Sequence, residues 1–164
     1  MKKYSREDQR LLTIWALDCA ERVLPRFEAA APDDSRPRHA IEVGREWVAT
    51  GSFSMKVIRG ASLAAHAAAK VVKQLESACQ AAHAAGQAVA AAHVAQHAYG
   101  AAFYALRALA ASSSGDDVVL RLRDELNWQS SRLPAHLRDE IMSHLGVRVM
   151  DGTVKVALTK GPDF

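Results

Sequence analysis

The residues best suited to chemistry are histidines inside an alanine-rich stretch, AAHAAGQAVAAAHVAQHAYGAAFYA, residues 81–105. His93 and His97 form an HxxxH pattern there. On a helix, two residues four positions apart share one face and lie about 6 Å apart, so the pair could chelate a metal ion. His66, on a neighbouring predicted helix, could supply a third ligand if the two helices are antiparallel.

Other features of the pattern weaken the case for a metal. No glutamate follows His93, so the zinc-protease motif is absent. His83 would lie about 15 Å along the helix from His93 and could not bind the same ion. A fourth ligand would have to come from Asp18 or Glu21. We therefore predict no cofactor, and we favour neutral, hydrogen-bonded histidines inside a helical bundle over a ligand pocket or a metal site.

A second set of candidates consists of charged residues with helical spacing. Asp18 and Arg22 are four positions apart, as are Arg38 and Glu42, while Glu42 and Arg45 are three apart. Such spacing usually indicates solvated pairs within one helix.

The functional alternative is a polar cluster in which arginines near a helix N-terminus hold an anion or an acidic partner. The core of this predicted cluster is Asp18, Glu21, Arg36 and Arg38. Together with the histidines, the predicted binding residues are Asp18, Glu21, Arg36, Arg38, Glu42, His66, His93 and His97.

The alanine-rich stretch also determines the predicted architecture. No Asp, Glu, Lys or Arg occurs from Ser77 to Leu106, which exceeds the ~20 residues that a membrane span needs. Alanine contributes little to insertion, however, and the histidines and glutamines would be costly in lipid, so we predict no membrane span. A helix that is apolar all round is normally buried, and we expect one helix, Ala81–Ala111, at the centre of a bundle.

Composition and periodicity place this helix in an all-α, single-domain bundle of five to six helices. The chain is 49% hydrophobic but only 6% aromatic, with much alanine. The other predicted helices cover residues 5–30, with a kink or end near Leu24 before Pro25, and residues 35–49, 54–78, 117–130 and 134–144. The tail VRVMDGTVKVAL predicts a hairpin with a type I′ turn at Asp151–Gly152. This divides the chain into a helical domain, 1–145, and a C-terminal tail or small hairpin, 146–164.

Several function classes find little support. The net charge is +3 and the pI is near 9.0, but the basic residues are interleaved with acids and no nucleic-acid motif appears, so we predict no nucleic acid partner. Cys19 and Cys79 match no metal or redox spacing and are expected to be reduced and buried. No secretion signal is recognisable, which predicts a cytoplasmic protein. The chain has no GxSxG, P-loop, GxGxxG or CxxC motif, so an enzyme is not favoured.

Four stretches taken together resemble a known family. They are LLTIWALDCAERVLPRFE (11–28), PDDSRPRHAIEVGREW (32–47), ASLAAHAAA (61–69) and residues 81–105. The sequence resembles the bacterial immunity proteins with an Imm-5-like domain, which are small, α-helical, cytoplasmic proteins associated with polymorphic toxin systems. The resemblance covers about residues 8–110 and implies neutralisation of a cognate toxin by direct binding, without catalytic residues.

The position of the polar residues suggests an alternative. Immunity proteins usually present charged, exposed surfaces, whereas the histidines here are expected to face inward. The second hypothesis is therefore a helical protein that binds a small molecule or metal in an internal, histidine-lined pocket. A homodimer is also left open, because alanine- and glycine-rich helix faces pack closely.

Overall fold

A computed structural model describes residues 2–113, 117–150 and 153–161. It confirms the all-α class with a small C-terminal hairpin. The described residues form seven helices and two strands: α1 (Arg6–Ala30), α2 (Arg36–Thr50), α3 (Met55–Val71), α4 (Glu76–Ala90), α5 (His97–Ala111), α6 (Asp117–Arg132), α7 (Ala135–Ser143), β1 (Leu145–Met150) and β2 (Thr153–Leu158).

Local side-chain chemistry starts and stops several helices at the predicted places. The Ser5 hydroxyl accepts a hydrogen bond from the Asp8 amide at 3.0 Å and donates to its carboxylate at 2.8 Å, which caps α1. Ser54 caps α3 in a similar way, accepting from the Val57 amide. Gly51 ends α2 with a φ of 70°, a left-handed conformation that favours glycine.

The predicted end of α1 near Leu24 is wrong, because the helix continues through Pro25 to Ala30. Proline removes only one backbone hydrogen bond, at a cost of about 3 kcal/mol. Val23, Leu24 and Phe27 are all buried, and burying each such side chain contributes about 1.5–3 kcal/mol. Packing on both sides of the proline therefore outweighs its local cost.

The alanine-rich stretch differs most from expectation. It is not one helix from Ala81 to Ala111; instead α4 ends at Ala90, residues 91–96 form turns, and α5 begins at His97. The two helices are antiparallel, so that the Ser77 hydroxyl donates to the Ala108 carbonyl at 2.7 Å. Small side chains let the two axes come close, and folding back buries both faces where a single long helix could not.

The boundary between the third and fourth helices is also shifted. The predicted helix 54–78 ends at Val71, residues 72–75 form a turn, and α4 begins at Glu76. The α4–α5 hairpin then forms the centre of the bundle. Helix α1 packs against both of its helices, α2 and α3 cover α4, and α6 packs against α5. The core consists largely of fully buried alanines with Trp15, Leu12, Phe27 and Leu106.

The C-terminal hairpin packs onto this bundle. Strands β1 and β2 are antiparallel, in a register that pairs Leu145 with Leu158 and Met150 with Thr153. The predicted type I′ turn at Asp151–Gly152 lies outside the described residues. Strand β2 contacts α5, and Leu145 is buried, so the hairpin is part of the apolar core rather than a free tail.

Within the described part of the chain, none of the helices has the length and apolar character needed to cross a membrane. Both cysteines are free thiols. Cys19 is buried as expected, and its burial raises the pKa of the thiol well above its ordinary value. Cys79 is only half-buried, contrary to the prediction, because it lies near the exposed start of α4.

Candidate functional site

Four histidines lie where α3, α4 and α5 meet, and they form two pairs. In the first pair, the Nδ1 atoms of His66 and His83 are 2.7 Å apart. One ring must donate and the other accept, so the accepting ring is neutral. The His83 ring also packs against Tyr104, with 5.1 Å between ring centroids. His66 therefore pairs with His83 rather than with His93 or His97.

The second pair is His93 and His97, whose ring centroids are 5.1 Å apart. They do not share one helix face, because His93 lies in the turn before α5 and His97 is the first residue of that helix. The His97 Nδ1 donates to the Gln87 side-chain oxygen at 2.7 Å. The His93 Nδ1 is buried and has no hydrogen-bond partner among the described residues.

Burial lowers the pKa of all four histidines. The pKa of His66 falls to about 4, with the neighbouring His83 and Lys70 as lesser causes. Arg107 and Lys70 lower the pKa of His83 further, while His93 and then His66 do the same for His97. Burial followed by Arg59 lowers the pKa of His93. The lowered pKa values favour neutral rings near pH 7, but the predicted hydrogen bonding is incomplete, because the His93 Nδ1 has no partner among the described residues.

The histidines do not converge on one cavity. His97 lines a cleft of about 560 Å³ between α5 and the hairpin, together with Gln87, Tyr104 and Lys160. His93 lines a different cleft, of about 330 Å³, and His66 lines neither of them. Across residues 2–113, 117–150 and 153–161, no three His, Cys, Asp or Glu side chains are grouped so as to hold a metal ion.

The acidic candidates of α1, Asp18 and Glu21, form ion pairs with other helices. Arg45 of α2 donates to Asp18 at 2.7 Å and to Glu21 at 2.5 Å, both on α1. Arg132 of α6 also reaches Asp18, at 3.2 Å. The expected pair of Asp18 with Arg22 is wrong, because packing brings α2 and α6 to the acidic edge of α1 and Arg22 points elsewhere.

The rest of the predicted polar cluster is divided. Arg36 forms a bidentate ion pair with Asp34, and the shorter contact joins Arg36 Nη2 to Asp34 Oδ2 at 2.6 Å. Arg38 pairs with Glu28 at 2.5 Å. Glu42 is exposed on α2, and the ion pair recorded for it is with His39, at 3.9 Å. The pairing of Glu42 with Arg38 and Arg45 is therefore wrong, because both arginines reach carboxylates outside α2.

Sequence reasoning missed the partners that complete these groups. Arg22 donates to the buried carboxylate of Glu125 on α6 at 3.0 Å and stacks on Trp128. Gln87 and His83 complete the two histidine pairs. The sequence did contain a pattern that links these two residues, since His83 and Gln87 are four positions apart and share one face of α4. It could be interpreted only once the alanine-rich stretch was known to fold back on itself.

Comparison with known proteins completes the description. No curated protein and no solved structure matches the chain. A family model described as "Imm-5 like putative immunity protein" matches residues 2–136, which include α1 to α6 and the start of α7. The matched segment contains every predicted site residue and both histidine pairs. Because the match covers most of the sequence, the chain belongs to the Imm-5-like immunity protein family.

Proposed function

We propose that this protein binds a cognate bacterial toxin in the cytoplasm and neutralises it by direct, non-catalytic contact. The family match over residues 2–136 carries the proposal. A toxin partner is what an immunity function requires, and it agrees with the resemblance of the individual sequence motifs.

Several of the predicted polar residues are engaged with partners inside the chain. Asp18, Glu21, Arg36 and Arg38 are held in ion pairs with other residues of this chain. His97 is hydrogen-bonded to Gln87. Groups held in this way stabilise the helical frame that presents a binding surface.

Co-expression tests the proposal directly. The polypeptide encoded beside this gene is produced in a bacterial host, with and without the protein. We expect growth arrest without the protein and growth with it, and a complex of the two purified chains by size-exclusion chromatography with light scattering. Protection without any complex would contradict neutralisation by direct contact, and the absence of both would contradict the immunity function.

The cleft of about 560 Å³ beside His97 favours a second candidate, the binding of a small molecule. Such clefts, with a few polar groups in an apolar lining, are typical of ligand sites. Native mass spectrometry and metal analysis of untagged protein would detect a retained ligand. A bound mass that disappears in His97→Ala would support this candidate, and protein of the bare chain mass would count against it.

A further inference from the structure

Exposed apolar side chains are concentrated around α3. Nine large hydrophobic residues are exposed in the described chain, and six of them lie in the segment 53–75. These six are Phe53, Met55, Val57, Leu63, Val71 and Leu75. Isolated exposed apolar residues are ordinary, but a concentration of this kind marks an interaction surface.

The same segment is uniformly basic. From Phe53 to Leu75 there is no Asp or Glu, and the charged residues are Lys56, Arg59, Lys70 and Lys73. None of these four cations has an ion pair within the described residues. The arginines of α2 are different, since Arg36, Arg38 and Arg45 are all paired with carboxylates of this chain.

Cations and apolar residues share the outer side of the helix. Arg59, Leu63 and Ala67 follow at intervals of four, and Lys70 and Val71 come three and four residues later. All five are exposed, because α3 packs mainly against α2 and α4 on its other side. We call these five residues the α3 face.

A cleft lies near the N-terminal end of α3, since Phe53 just before the helix lines it and Arg59 of the α3 face is close enough to lower the pKa of His93 in its wall, after the effect of burial. It has a volume of about 330 Å³, and its lining includes Arg6, Arg10, Trp47, Phe53 and His93. The Arg10 Nε donates to the Val48 carbonyl at 3.0 Å. Neither arginine has a carboxylate partner among the described residues. The aromatic rings and guanidinium groups suit an acidic side chain that is flanked by apolar ones.

We infer that the α3 face and this cleft form the surface that binds the toxin, and that the toxin contributes an acidic segment interspersed with apolar side chains. The inference rests on the proposed function. Charge complementarity identifies the occupant, since Arg59 and Lys70 of the α3 face and Arg6 and Arg10 of the cleft have no carboxylate partner among the described residues and would attract an acidic surface and speed its association. Leu63 and Val71 would find no counterpart in a phosphate backbone. Ala67 interrupts the continuous bulky face that membrane-surface helices present.

Charge reversal on the α3 face is the first test. Arg59→Glu/Lys70→Glu should weaken toxin binding at least tenfold and reduce protection in the growth assay. The matched control is Arg121→Glu/Arg123→Glu on α6, which makes the same change in net charge at exposed positions that have no ion pair with any described residue. We expect the control to bind within twofold of the unaltered protein. Equal loss in both variants, or none in either, would overturn the inference.

A second variant separates apolar contact from charge attraction. Leu63→Ser/Val71→Ser leaves every charge in place, and since both side chains are exposed, the melting temperature should be unchanged. We expect at least tenfold weaker toxin binding. Full binding by this variant would overturn the apolar part of the inference.

A toxin-independent arm distinguishes failure of the inference from failure of the proposed function. The probe is a helical peptide with a leucine face and a glutamate face, compared with the same peptide carrying glutamine and with vesicles of phosphatidylglycerol. We expect only the glutamate peptide to bind, and Arg59→Glu/Lys70→Glu to abolish that binding.

Each outcome of the combined experiment has one meaning. Binding of the glutamate peptide without binding of the toxin contradicts the proposed function while supporting an acidic partner for the α3 face. Toxin binding that is unchanged in both α3 variants contradicts the inference but leaves the proposed function intact. Preferential binding to the vesicles, or self-association through these residues, would replace the acidic protein partner with a membrane or a second copy.

Discussion

At the scale of single residues, the histidine pairs should make the folded protein less stable at acidic pH. Each pair is neutral in the folded protein, and the hydrogen bond between His66 and His83 requires one Nδ1 to accept the hydrogen bond that the other donates. Protonation of the accepting ring would break that bond and place a charge near Lys70, which already lowers the pKa of both rings.

The pH dependence of stability follows from the lowered pKa of His66. Above pH 6.5 both folded and unfolded chains leave this ring neutral. Between pH 6.5 and about 4 only the unfolded chain takes up the proton, so the free energy of unfolding falls. The loss is at most about 1.4 kcal/mol per pH unit, and partial exposure of the ring reduces it. Chemical denaturation across this range measures it.

Two variants measure the share of that slope that belongs to His66. His66→Gln should reduce the slope between pH 6.5 and 4.5 without removing it, because the pKa values of His83, His93 and His97 are lowered as well, while His39→Gln, at an exposed position on α2, should leave it unchanged. Carboxylates such as Glu28 and Asp34, whose pKa values are lowered by arginines, lose their contribution mainly at still lower pH. A flat profile between pH 6.5 and 4.5 in the unaltered protein would contradict this prediction.

Two glycines test how tightly the His66 ring is packed. A methyl group on Gly86 would lie 2.9 Å from His66 Nε2, whereas one on Gly60 would meet no atom within 4 Å. Gly60→Ala should stabilise α3 by about 0.5–1 kcal/mol, the ordinary gain for alanine in a helix. Gly86→Ala should be about 1–3 kcal/mol less stable than this control, because overpacking displaces the ring. Urea denaturation measures both, and equal stabilisation would show that the ring yields freely.

At the scale of helices, a partly buried ion pair links α6 to α1. The Glu125 side chain is only 3% exposed and accepts from Arg22, which is 43% exposed. The Trp15 indole donates to the Gln129 carbonyl at 2.9 Å, a second link between the same two helices. A buried carboxylate without its cation is costly. The Arg22–Glu125 pair should therefore contribute more to the free energy of unfolding than the exposed pairs of α2.

Arg22→Ala should therefore destabilise the protein by about 1.5–3 kcal/mol, the range for hydrogen bonds to charged groups. Arg38→Ala, which removes the more exposed pair with Glu28, should cost less than about 1 kcal/mol. Adding Glu125→Gln should recover part of the Arg22→Ala loss, since it removes the unpaired charge. Thermal denaturation of the three variants would contradict the argument if Arg22→Ala and Arg38→Ala proved equal.

At the scale of the whole molecule, the division into a helical domain and a tail remains a prediction. The contacts indicate that the hairpin stabilises the helical domain. Val154, Val156 and Leu158 pack against the core, and the Thr159 amide donates to the His144 carbonyl at 2.8 Å. The hairpin lies outside the family match, which ends at residue 136.

A chain that ends at Leu145 tests this division. We expect it to remain helical by circular dichroism but to lose about 2–4 kcal/mol of stability, from the partial burial of three or four aliphatic side chains. The α3 face lies on a different helix from the one that β2 contacts, so toxin binding should survive. Complete unfolding of the shortened chain would show that residues 1–145 are not a domain.

The sequence by itself determined the helical class, the ends of several helices and the C-terminal hairpin. It did so because caps and turns act within a few residues, as Ser5, Gly51 and Ser54 illustrate. Half-buried histidines with lowered pKa values were also predictable, since an uncharged stretch around them implies an apolar environment.

Only the tertiary structure decided where the alanine-rich stretch turns and which charges meet. Alanine favours a helix equally at every position, so the turn at 91–96 has no local cause, and it forms because antiparallel helices bury more surface. The turn at 72–75, Val-Lys-Gln-Leu, likewise contains neither glycine nor proline. Spacing within one helix likewise could not reveal that Asp18 meets Arg45 or that Arg22 meets Glu125. Those partners lie on different helices, and packing alone brings them within hydrogen-bond distance.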